Sequence, residues 1–249
     1  RLSNFEGEDL DILIGSHPLE GEEKDAVKAA ILKLLEAEYG IEEDDFLSAE
    51  LTMVPAGKAR DLGLDRSMVL AYGHDDRVCA YTSLAAMLEV DKVERTSCCL
   101  LVDKEEIGSV GATGMQSRFF ENSVAELMNL TGEYSELNVR RCLAHSCMLS
   151  SDVSAGFDPT YASCFEKKNA AFLGQGMVFN KFTGARGKSG SNDASAETMA
   201  KVISIMDEAD VFWQIGELGA VDEGGGGTIA YILAERGAEV VDCGVPMLS

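Results

Sequence analysis

The sequence has 249 residues and a mass of 26.7 kDa, enough for one large domain or for one domain and part of another. Apolar residues make up 46% and charged residues 26%, which are ordinary globular values and argue against disorder. The 43 acidic and 21 basic residues give a net charge of −22. Such a field excludes a phosphate-tracking nucleic-acid binder and disfavours an anionic membrane surface. Apolar runs such as 98–102 are too short to span a bilayer.

The first third of the sequence predicts few helices and strands and contains no cluster of candidate catalytic or metal-binding side chains. Residues 8–14 and 47–54 have the patterns of short strands. Residues 21–39 predict a helix, because apolar side chains recur at helical spacing and Gly40 follows as a stop signal. The acidic run 42–45 is typical of a solvated turn.

From residue 67 onwards the pattern alternates between strands and helices, and most of the strands are too apolar to be half exposed. This alternation predicts an α/β domain with a mixed, largely parallel sheet flanked by helices on both faces. The predicted strands are residues 68–72, 96–102, 177–182, 211–215 and 239–245, and the predicted helices are 78–88, 117–130, 137–149, 194–207 and 228–236.

Seven cysteines are present, an odd number, and no two have the C-x-x-C spacing. The adjacent Cys98 and Cys99 lie inside an apolar, strand-like run. This usage argues against a disulfide framework or a zinc ribbon and predicts reduced, mostly buried thiols in a cytoplasmic protein.

Acidic side chains follow several of the predicted elements directly. The clusters occupy residues 74–77, 103–106, 150–154 and 216–223. Polar groups at strand ends converge on one crevice in such folds, and several unpaired carboxylates in one crevice repel each other unless a cation is present. The clusters therefore favour a site for two divalent metals. The alternative is that each cluster is a solvated surface turn, since the run 42–45 has the same composition.

Two glycine-rich segments suggest phosphate binding only weakly. Residues 183–189 resemble a P-loop, but Phe182 stands where the first glycine of that motif is required. Residues 224–227 precede a predicted helix and fit either an anion-binding turn or a tight backbone contact. Of the histidines, His145 lies in a predicted helix and is expected to pack in the core.

Taken together, the motifs resemble the aspartyl aminopeptidase family of zinc metallopeptidases. The matching segments are G-H-D-D-R at 73–77, D-K-E-E-I-G-S at 103–109, S-D-V-S-A at 151–155, G-A-R-G-K-S-G-S-N at 184–192 and G-V-P-M-L-S at 244–249. The resemblance is strong over residues 67–249 and weak over 1–66. It implies that 67–249 form a catalytic metallopeptidase domain and that 1–66 are the end of an inserted, β-rich dimerisation domain.

The resemblance also assigns roles within the acidic clusters. It implies that Asp75 bridges two zinc ions, that Glu106 binds one of them and Asp152 the other, and that Glu105 is the general base that takes a proton from the attacking water. Each metal in the family takes one further histidine, and neither histidine is found in this sequence. We therefore expect a fragment that lacks the N-terminal part of the catalytic domain and the extreme C-terminus.

The leading hypothesis is hydrolysis of N-terminal residues, preferably Asp or Glu, from peptides. An acidic substrate side chain needs a local cation, for which Lys181, Arg186 and Lys188 are the candidates. The resemblance further implies dimers that assemble into a dodecamer. Two alternatives stay open: a catalytically incompetent oligomerising fragment, and a related aminopeptidase with specificity for neutral residues.

Overall fold

The computed structural model describes residues 11–186, 189–220 and 225–248. The chain divides into two compact units, Arg1–Lys58 and Ala59–Ser249. The second unit opens with an antiparallel hairpin of β1 (Arg60–Leu62) and β2 (Met68–Leu70), which lies on both sides of the expected boundary at residues 66 and 67. The assignment of those domains to dimerisation and catalysis stays a prediction.

In the first unit the predicted helix is present as α1 (Ala26–Tyr39). It ends at Gly40, whose φ of 67° places it in the left-handed region, and the Gly40 N–H donates to the Glu36 carbonyl at 3.0 Å. The strand predicted at 47–54 is wrong. Residues 48–54 form no ladder and Leu47 is 89% exposed, so nothing covers the apolar face that would stabilise a strand. Residues 11–14 are also not a strand, and 8–10 lie outside the described residues.

The second unit contains the other described α-helices and strands. Its helices are α2 (His74–Glu89), α3 (Phe119–Leu130), α4 (Glu136–Ala144), α5 (Ala196–Glu208) and α6 (Ala230–Ala234). Its further strands are β3 (Cys147–Ser151), β4 (Ser154–Ala155), β5 (Met177–Asn180), β6 (Phe182–Ala185), β7 (Ser189–Asp193), β8 (Trp213–Ile215), β9 (Glu239–Gly244) and β10 (Pro246–Met247). Among the described helices, none is long and apolar enough to cross a membrane.

The expected mixed sheet flanked by helices is confirmed. Four strands form the sheet in the order β3-β9-β5-β8, with β3 parallel to β9, β5 parallel to β8, and β5 antiparallel to β9. Strand β9 is buried on both faces because its side chains alternate. Val240 joins an apolar cluster with α4 and α6, whereas Val241 and Cys243 join another with α5.

Asp242 lies on the Val240 face of β9 and is only 2% exposed. Its carboxylate accepts hydrogen bonds from Thr183 Oγ1 on β6 at 3.0 Å, from Asn192 Nδ2 on β7 at 3.3 Å, and from the Thr228 hydroxyl. These donors tie the β6–β7 hairpin and the segment before α6 to the central strand. Burial raises the pKa of Asp242, and the hydroxyl and amide donors oppose that rise.

The structure corrects two further elements of the sequence analysis. Residues 96–102 are not a strand, because none of the described strands pairs with them, although Leu100 and Val102 pack on the apolar cluster of α4 and α6. The helix predicted over 137–149 ends at Ala144, and the apolar continuation is strand β3. Periodicity alone cannot separate a helix from the strand that directly follows it.

The prediction of reduced thiols is consistent with seven free cysteines, but the prediction that most are buried is wrong. Only Cys79 and Cys243 are buried, while four are exposed: Cys98, Cys142, Cys147 and Cys164. His145 is likewise exposed at the end of α4 instead of packed in the core.

Candidate metal centre

Two acids lie at the start of α2. The chain enters the helix through Gly73 in the left-handed region, with φ of 76°. Asp75 and Asp76 keep non-helical backbone angles, so the regular helix begins after them. Asp76 Oδ1 accepts the Cys79 N–H at 3.3 Å, which satisfies one free donor of the first turn. Asp75 is left exposed beside the capped turn.

The adjacent glutamates lie on one 3₁₀ turn, Glu105–Ile107. The Gly108 N–H donates to the Glu105 carbonyl at 2.9 Å and closes the turn. Glu105 is half-buried and Glu106 is exposed. Neighbouring residues therefore meet different surroundings on the same turn.

Asp152 directly follows β3, where the parallel neighbour β9 fixes its backbone. The Asp152 N–H donates to the Cys243 carbonyl at 2.9 Å, and Asp152 Oδ1 accepts the Val153 N–H at 2.7 Å. The approach of β9 is so close that a Cβ at Gly244 would overlap the Asp152 carbonyl oxygen. The backbone at Asp152 is thus held by strand pairing, not by a flexible loop.

The pKa shifts place these acids within electrostatic reach of each other. Burial raises the pKa of Asp152 to about 8, and the charges of Asp76 and Glu105 add to the rise. Burial also raises the pKa of Glu105, with further contributions from Glu106, Asp75 and Asp76. Like charges disfavour ionisation only when they are close and poorly screened. Five acids from three segments therefore converge on one place.

Glu106 lies within electrostatic reach of Asp75. The charge of Asp75 is the largest cause that raises the pKa of Glu106, and burial adds to the rise. A divalent cation offsets the repulsion between two nearby carboxylates. The chemistry of Asp75 and Glu106 therefore fits a metal held by these two side chains, and Asp152 is near enough to feel the charge of Asp75. Among the described residues, no three of His, Cys, Asp and Glu form a complete ligand set for one ion.

The candidate substrate-binding residues lie apart from these acids or outside the description. Lys181 Nζ is paired with Asp193 Oδ1 at 2.5 Å. Asn180 pairs with Asp242 in antiparallel register, so Lys181 lies beyond that pair, near the middle of β9 and away from the Gly244 end that adjoins Asp152. Arg186 is exposed at the end of β6 with φ of 53°. Lys188 and residues 221–223 of the fourth acidic cluster lie outside the described residues.

Asp76 belongs to the predicted acidic cluster 74–77, but it is the member of the group that has no role of its own in the sequence prediction. Its pKa is raised mainly by burial, and its charge acts on both Glu105 and Asp152. An acid at the first turn of a predicted helix is usually explained as a helix cap. The additional effect of the Asp76 charge on Glu105 and Asp152 therefore cannot be predicted from sequence spacing. The Cys79 thiol beneath it is buried, which raises its pKa to about 12 and keeps it uncharged.

Comparison with known proteins identifies the class that this fold and site define. The family model described as aminopeptidase I zinc metalloprotease (M18) matches residues 4–249. The chain therefore belongs to the M18 family of zinc metalloproteases. It is similar to a protein named probable M18 family aminopeptidase 1 from Clostridium acetobutylicum, with 62% identity over 98% of this chain and 53% of that protein.

Solved structures give the same result for the fold. An M18 aminopeptidase from Thermotoga maritima has a TM-score of 0.94 and 44% identity, and the match covers 99% of this chain and 55% of that one. Aminopeptidase I from Clostridium acetobutylicum has a TM-score of 0.86 and 60% identity, over 95% of this chain and 51% of that one. The chain thus spans about half the length of the relatives that it matches.

Proposed function

We propose that this chain supplies the carboxylate part of a zinc-dependent aminopeptidase site, which removes N-terminal residues from peptides. The observation that carries the proposal is the convergence of Asp75, Glu105, Glu106 and Asp152. Burial and then the neighbouring acidic charges raise the pKa values of Glu105 and Asp152, and the charge of Asp75 is the largest cause that raises the pKa of Glu106. Membership of a zinc metalloprotease family supports zinc as the cation.

In this proposal Asp75 bridges two metal ions, Glu106 holds one and Asp152 the other. Zinc in such sites polarises the scissile carbonyl and makes water nucleophilic near neutral pH. Glu105 is not needed as a ligand and acts as general base. Burial raises its pKa, so the side chain can accept a proton from the attacking water and pass it to the leaving amine.

Metal content tests the two-metal arrangement. In the full-length protein, Asp75→Asn should lose zinc from both sites together, because a neutral amide oxygen cannot offset two dications as a carboxylate does. The measurement is zinc stoichiometry by elemental analysis. Retention of one tightly bound zinc would make Asp75 a terminal ligand, and the bridge would lie elsewhere.

For substrate choice we propose an acidic N-terminal residue, recognised by Lys181, Arg186 or Lys188. A relative from Schizosaccharomyces pombe, 29% identical over 85% of this chain, is named aspartyl aminopeptidase 1, which supports this choice. A specific observation favours the alternative of neutral substrates: Asp193 already pairs with Lys181.

Matched substrates separate the two specificities. The measurement is kcat/KM for substrates with an N-terminal Asp, Glu, Leu or Ala. We expect higher values for Asp and Glu than for Leu and Ala. One of Lys181→Met, Arg186→Met and Lys188→Met should abolish that preference and leave the Leu rate unchanged, and Lys201→Met on α5 is the control. Equal or higher kcat/KM for Leu in the wild-type protein would support the neutral alternative.

We further propose self-association and a cytoplasmic location. A yeast relative at 19% identity and a TM-score of 0.62 is described as a dodecamer, and the free thiols fit a reducing compartment. Light scattering of the full-length protein checks the assembly, and a monomer at micromolar concentration would contradict it.

A further inference from the structure

The loop that follows the two glutamates folds back on their turn. The turn Glu105–Ile107 lies between Lys104 and Gly108, which both have left-handed backbone angles, with φ of 66° and 95°. Its shape is therefore not that of a continuing helix and has to be held by contacts from elsewhere. The Ser109 N–H donates back to the Lys104 carbonyl at 2.7 Å, which closes the base of the turn.

Three features bring residues 113–116 against this turn. The Asp103 N–H donates to the Thr113 carbonyl at 3.0 Å, and the Gln116 N–H donates to the Ser109 carbonyl at 3.2 Å. Gly114 approaches Ser109 so closely that a Cβ would overlap its carbonyl. Met115 is 6% exposed and packs in the apolar cluster of α4 and α6, so the returning segment is anchored to the core.

Gln116 follows that anchor, and its side chain reaches the end of the glutamate turn. Gln116 Nε2 donates to the Gly108 carbonyl at 2.6 Å and lies 3.5 Å from the Tyr231 hydroxyl on α6. The first bond is short and well within hydrogen-bonding range, whereas the second is at its limit. The Gly108 carbonyl is thus linked through one side chain to a segment fixed in the core.

We propose that Gln116 is a positioning residue for Glu105 and Glu106, which it sets in place by holding the Gly108 end of their turn. This inference rests on the proposed function, since it concerns the geometry of the same site. Side chains that orient the groups around a metal, without binding it, typically affect metal affinity or activity by about 10–100-fold when they are changed.

The test uses Gln116→Met in the full-length protein, because methionine keeps the length of the side chain but cannot donate a hydrogen bond. We expect zinc affinity, measured by competition with a chelating dye, to fall by about 10-fold or more, in line with such supporting residues. In the zinc-loaded protein kcat should fall by a similar factor, with little change in KM, because the glutamates and not the peptide have lost their support.

Two controls separate positioning from general stability. Gln175→Met changes an exposed glutamine elsewhere and should match the wild type. Tyr231→Phe removes only the partner at 3.5 Å and should also stay near wild type. If Gln116→Met lowers the melting temperature but keeps the zinc affinity and kcat of the wild type, the role is structural and the proposal is overturned.

Hydrogen exchange of the zinc-free protein tests the same contact without catalysis. In Gln116→Met the amides of residues 104–109 should exchange at least about 10-fold faster, because the closing bonds of the turn open locally. Unchanged exchange would overturn the proposal. If the exchange rises as expected but the wild type shows no zinc-dependent peptidase activity, the contact is real and the proposed function fails on its own.

Discussion

Adjacent glutamates on one turn have different surroundings, which is consistent with the different roles proposed for them. Burial is the largest cause of the raised pKa of Glu105, whereas the nearby charge of Asp75 is the largest cause for Glu106. A side chain whose pKa is raised mainly by a neighbouring carboxylate is suited to share a cation with that carboxylate. A side chain whose pKa is raised mainly by burial holds a proton more readily than an exposed one, which suits a general base.

Glu105→Gln and Glu106→Gln in the full-length protein should therefore fail in different ways. Glu105→Gln keeps the size of the side chain but cannot accept a proton, so turnover should fall by about 10²–10⁴-fold while zinc content stays near wild type. Glu106→Gln should lose one zinc, and activity should partly return with excess zinc by mass action. Metal analysis beside steady-state kinetics measures both.

The reverse outcome is equally informative. If Glu105→Gln loses zinc and Glu106→Gln keeps it, the two roles are exchanged. If neither substitution changes zinc content or rate, the metallopeptidase interpretation of this turn is wrong.

Asp242 gives a prediction about pH. Because burial raises its pKa in the folded protein, the folded state holds the proton more tightly than the unfolded chain does. The resulting stabilisation is complete below the ordinary pKa of 3.8 and is lost as pH rises through the folded-state pKa. Asp242→Asn cannot ionise, so relative to the wild type its free energy of unfolding should improve as the pH rises above the ordinary pKa of 3.8 and level off above the folded-state pKa.

Urea unfolding across this range measures the difference between the two proteins. Asp91→Asn, a change at an exposed carboxylate, is the control and should leave the pH dependence as it is in the wild type. A pH-independent difference for Asp242→Asn would show that the carboxyl does not titrate differently in the folded and unfolded states.

At the scale of elements, the junction between β9 and Asp152 depends on the absence of a side chain at Gly244. A methyl group there would overlap the Asp152 carbonyl oxygen, so Gly244→Ala should force β9 away from Asp152. We expect a loss of about 1–3 kcal/mol or more in the free energy of unfolding, the usual cost of overpacking, together with weaker zinc binding.

Gly227→Ala is the matched change for this prediction. A Cβ at Gly227 would meet the Gly190 carbonyl oxygen at 3.4 Å, an ordinary contact, so thermal unfolding should change little. Equal stability of Gly244→Ala and the wild type would mean that β9 can move without loss, and that this junction does not fix Asp152.

The sequence predicts best those helices and strands whose own residues show a clear apolar pattern. Helices α1, α3 and α5 have apolar periodicity and clear ends, and β5, β8 and β9 are short apolar runs. Residues 96–102 have the same apolar character, yet none of the described strands pairs with them. Whether a segment forms a strand depends on a partner strand, which its own residues do not reveal. The β6–β7 hairpin is not predicted from the sequence, because its strands consist mostly of small and polar residues and lack a continuous apolar pattern.

Only part of the candidate site is likewise predictable from the sequence. Acids at element ends indicated a cation site from residue types alone, whereas the distinct roles of Asp75, Glu105, Glu106 and Asp152 came from family resemblance and stay a prediction. The parts that spacing could not reveal depend on contacts across the fold. Asp76 acts on Asp152 through space, and Gln116 reaches the Gly108 carbonyl after the loop has turned back.

At the scale of the whole molecule, residues 1–249 alone should bind zinc weakly and show no peptidase activity. The described residues offer no complete set of three protein ligands for an ion, whereas catalytic zinc sites use three. Exposed apolar side chains such as Leu13, Leu64 and Phe212, at 86%, 109% and 82% exposure, should also make the chain self-associate.

Zinc titration, peptidase assays and light scattering check this expectation. The full-length relative from Clostridium acetobutylicum, 62% identical to this chain, is the reference under the same conditions. A soluble monomer of residues 1–249 with tight zinc binding and activity equal to that relative would contradict it.

The position of β9 between β3 and β5 also affects when the sheet can form during synthesis. Both neighbours leave the ribosome before β9, and the carbonyl of Cys243 that fixes Asp152 is synthesised about 90 residues after it. At about 5–20 residues per second, β3 waits for several seconds with its pairing edge open. Of the four strands in this sheet, β9 is the last to be synthesised, so its arrival both joins β3 to β5 and fixes the backbone at Asp152.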